Sequence, residues 1–143
     1  MGVTGLEHVL VLSDDIDATR DFYTDIIGLR AGRRPPLEFP GHWLYAGERR
    51  AACLHIADRL AYRTHAAGLG LGPGDASGVR PEPAAAAVDH IAFDADDHEE
   101  VERRITRGGL RSVRNQVPGG PRQLFVSDPN GVLVEINVKD ASR

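Results

Sequence analysis

The chain repeats itself, and a repeat on the scale of half a domain limits the folds open to it more than any other feature. Leu6-Glu7-His8-Val9-Leu10-Val11 returns 82 residues later as Val88-Asp89-His90-Ile91-Ala92-Phe93, matching as apolar, acidic, His, β-branched, apolar, apolar. The stretches after the two segments match as well. Ser13-Asp14-Asp15-Ile16-Asp17 supplies N-cap chemistry ahead of Ile16, Phe22, Tyr23, Ile26 and Ile27, an amphipathic helical spacing that Gly28 ends. Asp94-Ala95-Asp96-Asp97 opens a second, weaker stripe through Val101 and Ile105, and Gly108-Gly109 stops it. Strand-like runs then occupy 28–33, 42–46 and 51–57 in the first half, and 110–116, 122–127 and 132–138 in the second. Asp128-Pro129-Asn130-Gly131 is a turn with Pro at i+1 and Gly at i+3. Each half therefore reads strand–helix–strand–strand–strand. The expectation is a single α+β domain over 1–143, with module one at about 4–57, a linker at about 58–86 and module two at about 87–139.

The linker divides in two. Residues 59–67 have the composition of a short helix, and the remainder is Gly, Pro and Ala punctuation. Its glycines fit neither G-x-G-x-x-G nor G-x-x-x-x-G-K-[ST], so they propose no nucleotide site.

Composition narrows the function classes. With 143 residues and a formal net charge of −4, the chain has room for a core and no basic footprint, which argues against nucleic acid and anionic membrane as partners. No apolar run approaches the roughly 20 residues of a membrane span, and residues 1–5 begin no signal-peptide pattern. The lone Cys53 excludes an internal disulfide framework and suits a reducing cytoplasm, the expected location. Six histidines in so short a chain are the informative excess, because His is the commonest metal ligand.

The repeat gives four of the polar residues equivalent places. His8 and His90 belong to the first strands of the two halves. His55 (in Ala52-Cys53-Leu54-His55-Ile56) and Glu135 (in Leu133-Val134-Glu135-Ile136-Asn137) belong to the last. His55 and Glu135 are 80 residues apart, within two of the 82 that separate His8 from His90. A lone His or Glu in an otherwise apolar strand is costly to bury unpaired, and one divalent cation would satisfy all four. Two imidazoles and a carboxylate suit Zn, Ni, Co, Mn or Fe(II). The remaining histidines are weaker candidates: His98, at a helix start, and His65, in the linker, are expected in solvent. In the run His42-Trp43-Leu44-Tyr45 the alternation leaves either His42 and Leu44 or Trp43 and Tyr45 on the side of the site. Trp43 and Tyr45 are the candidates for lining a substrate. Cys53 shares a strand face with His55. Arg122 is a candidate anion contact.

With those residues in place, the sequence resembles the vicinal oxygen chelate superfamily. Its members include glyoxalase I, methylmalonyl-CoA epimerase, extradiol dioxygenases, fosfomycin-resistance enzymes and bleomycin-binding proteins. The resemblance rests on Leu6-Glu7-His8, on Phe22-Tyr23 with Gly28-Leu29 after it, on Val88-Asp89-His90, and on Asp128-Pro129-Asn130-Gly131-x-x-x-Glu135. It implies two βαβββ modules curled into an open cup of eight strands, a divalent metal on His8, His90 and Glu135, a small-molecule substrate and a homodimer. His55 falls where glyoxalase I carries a glutamate that binds metal and moves the substrate proton, so it is the expected catalytic base or a fourth ligand. Phe125 stands where the extradiol enzymes carry a tyrosine, and a phenyl ring cannot donate a proton. Phe125 is thus an expected substrate contact only. The implied activity is glyoxalase- or epimerase-like proton transfer on a substrate chelated through vicinal oxygens. An Fe(II) dioxygenase acting on a catechol-like substrate and an antibiotic-binding protein are the alternatives.

Overall fold

The structure, a computed structural model, describes residues 5–77, 88 and 90–138. The repeat read from the sequence is a repeat in space. The first unit runs β1 (Val9–Ser13), α1 (Ile16–Asp21, continued by a π-helical turn Phe22–Ile27), β2 (Arg30–Gly32), β3 (Gly41–Tyr45) and β4 (Leu54–Asp58). After α2 (Arg59–Gly68) the second runs β5 (His90–Ala95), α3 (His98–Arg107), β6 (Val113–Gln116), β7 (Arg122–Ser127) and β8 (Leu133–Val138). The strand orders are the same: β1-β4-β3-β2 in one sheet and β5-β8-β7-β6 in the other. In each, a helix carries the chain across before a meander returns it, so that the first and last strands pair in parallel. The expected α+β class and eight strands are present. The strands form two sheets of four that are not closed into a barrel.

Three aspartates start the three helices. Asp15, Asp58 and Asp97 accept from the backbone N–H groups of Ala18, Ala61 and Glu100, satisfying donors that have no partner inside the helix. The helix expected early in the linker is α2. The Ala-rich end of that linker, and Asp89 of the second Val-Asp-His segment, lie outside the described residues. One expectation shifts: His8 immediately precedes β1, which starts at Val9 and runs on to Ser13. No helix among the described residues is long and apolar enough to cross a membrane.

Strand alternation sorts the two faces. Val11, Leu44, Leu54 and Ile56 of the first sheet, and Leu124, Val126, Val134 and Ile136 of the second, turn inward to one core with Phe22, Tyr23, Val101 and Ile105 from the helices. The π-helical turn lets the adjacent Phe22 and Tyr23 both enter that core. Gly28 ends the turn at φ 94°, a left-handed conformation that suits glycine. The buried Tyr23 hydroxyl donates to Asp128 Oδ2 across 2.9 Å, joining the first unit's helix to the β7–β8 turn of the second. The odd-numbered residues of β3, with His55 and Glu135, are left on the opposite faces, and the chemistry lies there.

Candidate functional site

In the first sheet Leu10 pairs with His55, so His55 leaves β4 on the face away from the core and His8 stands diagonally beside it. Their rings stack, with centroids 3.8 Å apart and planes at 12°. Trp43, opposite His55 in β3, stacks on the other side at 4.0 Å and 8°. His55 is therefore the middle ring of three. Burial first and then the neighbouring His8 push its pKa down to about 4, against an opposing pull from Glu7, with the Arg34 charge the smallest contribution. The imidazole is neutral at pH 7 and offers a lone pair. His8 Nδ1 lies 3.0 Å from Glu7 Oε1. Cys53 shares this face, half-buried, and burial raises its thiol pKa, so it stays protonated.

The second sheet repeats the diagonal. Ala92 pairs with Glu135, placing His90 beside the carboxylate, and His90 Nε2 is 2.9 Å from Glu135 Oε2. Glu135 is only 8% exposed. Its other oxygen accepts from Gln123 Nε2 at 2.5 Å, and the same Nε2 meets Asn137 Oδ1 at 3.1 Å. Asn115 Nδ2 in turn donates to Gln123 Oε1 at 2.7 Å. This relay across β6, β7 and β8 fixes the carboxylate's orientation, a supporting shell of the kind that orients metal ligands. Sequence reasoning missed Gln123 and Asn115. The signal was available, since Gln123 alternates with Phe125 and therefore shares its face.

The predicted ligands thus come as two pairs on two sheets, His8 with His55 and His90 with Glu135. Among the described residues no three His, Cys, Asp or Glu side chains come together as a metal cage. The donor types fit a divalent cation. The stacked rings add a constraint: an ion bound in the plane of one imidazole cannot lie in the parallel plane of the other. One of them ligates, or one ring turns.

The other candidates separate cleanly. Phe125 pairs with Glu135 across β7 and β8, half-buried on the site's face. Trp43 is on the His55 face. Tyr45 is on that face too, but its ring is packed over Gly32 and its hydroxyl donates to the Arg33 carbonyl. Arg122 is on the wrong face for the site. It alternates with Leu124 and Val126 and pairs with Glu99 of α3 at 3.1 Å. His42 faces α1, bonded to Asp17 at 2.8 Å. His98, expected in solvent, is buried together with Val101 and Ile105, one stripe of α3. His65 is half-buried against Phe39 rather than free in a linker. A cavity of about 500 Å³ between the units is bordered by His8, Cys53, Ile91 and Phe93.

Comparison with known proteins agrees with this architecture. The family model described as the Glyoxalase/Bleomycin resistance protein/Dioxygenase superfamily matches residues 5–136. Glyoxylase I 4 of Arabidopsis thaliana is 30% identical over 140 residues, covering 94% of this chain and 70% of that protein. Among solved structures, a lactoylglutathione lyase from Agrobacterium tumefaciens superposes with a TM-score of 0.64 at 22% identity, covering 96% of each chain. TnmS3, an antibiotic binding protein from Streptomyces sp. CB03234, gives a TM-score of 0.63 at 19% identity, covering 98% of this chain and 99% of that one. The chain belongs to the Glyoxalase/Bleomycin resistance protein/Dioxygenase superfamily.

Proposed function

We propose that the protein is a metal-dependent enzyme of the glyoxalase or epimerase kind, moving a proton on a small substrate that presents two adjacent oxygens. The observation that carries this reading is the matched pairing of His8 with His55 and of His90 with Glu135, at equivalent registers of two equivalent sheets. A divalent cation would be held by His90 and Glu135, with His8 as third ligand, and would supply stabilisation for negative charge developing on a substrate oxygen. His55, whose ring plane runs parallel to that of His8, accepts the substrate proton at a ring nitrogen. Trp43 packs the face of that imidazole and fixes its orientation. Gln123 holds the Glu135 carboxylate, and Phe125 beside it excludes water.

The protein works as a homodimer in which the His90–Glu135 pair of one copy faces the His8–His55 pair of the other. A two-fold axis makes two such sites at once. A mixing experiment tests this. A doubly substituted His8→Ala/His55→Ala chain and a Glu135→Ala chain are each expected to lack lactoylglutathione lyase activity. Co-refolded in equal amounts, they should recover about a quarter of wild-type turnover, because half the dimers are mixed and each mixed dimer rebuilds one site. No recovery, with both variants folded, would contradict a site shared between copies. Gln123→Leu should weaken metal affinity about 10- to 100-fold while leaving the fold intact, read by competition with a chromophoric chelator. Stoichiometric recovery of an intact bound antibiotic without metal would instead favour the sequestering role named for TnmS3.

A further inference from the structure

Arg34 lies in the loop between β2 and β3, half-buried, and its charge has no partner of opposite sign among the described residues. Its Nη2 donates to the Phe39 carbonyl at 2.5 Å, and its guanidinium lies over the Phe39 ring at 5.2 Å. Its Nε is buried and meets no acceptor among the described residues, and it forms no ion pair with any of them. The nearby acid, Glu38, is directed to His65 Nδ1 at 3.5 Å. A buried donor left unmade is costly, and a half-buried cation without a counter-charge adds to that cost. A fold tolerates such a group where a ligand completes it.

The position is specific. A Cβ at Gly41 of β3 would meet the Ile56 carbonyl oxygen of β4 at 2.1 Å, so the neighbouring strand's backbone keeps this position glycine, and Arg34 Nη2 lies 3.2 Å from the same point. The guanidinium thus stands beside Gly41, two residues before Trp43 on β3. The loop is held from behind: Phe39 packs edge-on against Tyr62 at 5.2 Å and against His65 at 5.0 Å, both on α2.

We infer that Arg34 is the binding residue for an oxyanion, a carboxylate or phosphate, carried by the substrate and placed on the Trp43 and His55 face. The planar guanidinium matches an oxyanion's geometry in a way that an ammonium does not. The inference rests on the reading of this face as the substrate side, but its test does not need the metal.

Trp43 is the only tryptophan and reports on that face directly. Benzoate and inorganic phosphate, each at constant ionic strength set with chloride, are titrated into the purified protein while Trp43 emission is monitored. The same titrations are run on His90→Ala protein, whose metal pair is broken. At least one anion should give a saturable change in both proteins. Arg34→Gln should weaken it at least tenfold, and Arg63→Gln on α2 should not. Arg34→Lys, which keeps the charge without the fork, should weaken it severalfold and serves if Arg34→Gln does not fold. Benzoate alone saturating would make the group a carboxylate, and phosphate alone a phosphate. A response in neither anion, or equal affinity in the Arg34 variants, would overturn the inference. Saturation in His90→Ala protein that lacks turnover would separate this site from the metal reading.

Discussion

Glu135→Gln is expected to reduce turnover at least 1,000-fold and to leave the protein without bound metal. The substitution keeps the shape and the partners in Gln123 and His90, yet removes the anionic oxygen on which the cation's charge depends. A bound cation supplies several kcal/mol of charge stabilisation, and about 4 kcal/mol corresponds to roughly a thousandfold in rate. The side chain is nearly buried, so solvent cannot take over its role. The fold should survive, because an amide still meets the donors and acceptors around it. Unfolding temperature within a few degrees of wild type, alongside lost activity, is the expected pattern. Substantial turnover in Glu135→Gln would mean that the carboxylate organises β8 and has no part in the chemistry.

The second large effect concerns the joint between the two units. Asp128 is 5% exposed and accepts four hydrogen bonds: from the Tyr23 hydroxyl, from the backbone N–H groups of Asn130 and Val132, and from Asn130 Nδ2. Asp128→Ala leaves the buried Tyr23 hydroxyl without its acceptor and releases the turn that precedes β8. The expected loss is about 3–5 kcal/mol, as for breaking a buried charged network by removing one partner. For a chain of this size that is roughly a 10–17 °C fall in melting temperature. Tyr23→Phe removes one donor and keeps the rest, so about 1–3 kcal/mol is expected. Burial and the adjacent carboxylate both raise the Tyr23 phenol pKa, so it remains a donor throughout the neutral range. Equal, small losses in both variants would show that the Tyr23–Asp128 bond does little to hold the two units together.

The fold was legible because the repeat is written in local chemistry. Acidic caps, apolar stripes and β-branched runs recur at one spacing, and each local preference agrees with the element formed. The pairing of His8 with His55 and of His90 with Glu135 was half legible. The matched spacings put the four residues at equivalent registers, but whether two sheets bring them to one point is a long-range fact that no local pattern encodes. Two misplacements have physical causes that the sequence did contain. Arg122 and Phe125 are three residues apart on one strand, and period-two alternation forbids both from facing the site. His98 stands three residues before Val101 and seven before Ile105, a helical stripe that buries it. Arg34 gave no signal, because its position depends on how the loop between β2 and β3 folds against α2.

The most direct test of a shared divalent centre is the metal content of purified protein, by mass spectrometry, beside His90→Ala. One equivalent of zinc, nickel, cobalt, manganese or iron per chain is expected, taken up again after chelation and lost in His90→Ala. Protein that takes up none of these ions on reloading, or His90→Ala protein holding as much as wild type, would contradict a metal centre built on these residues.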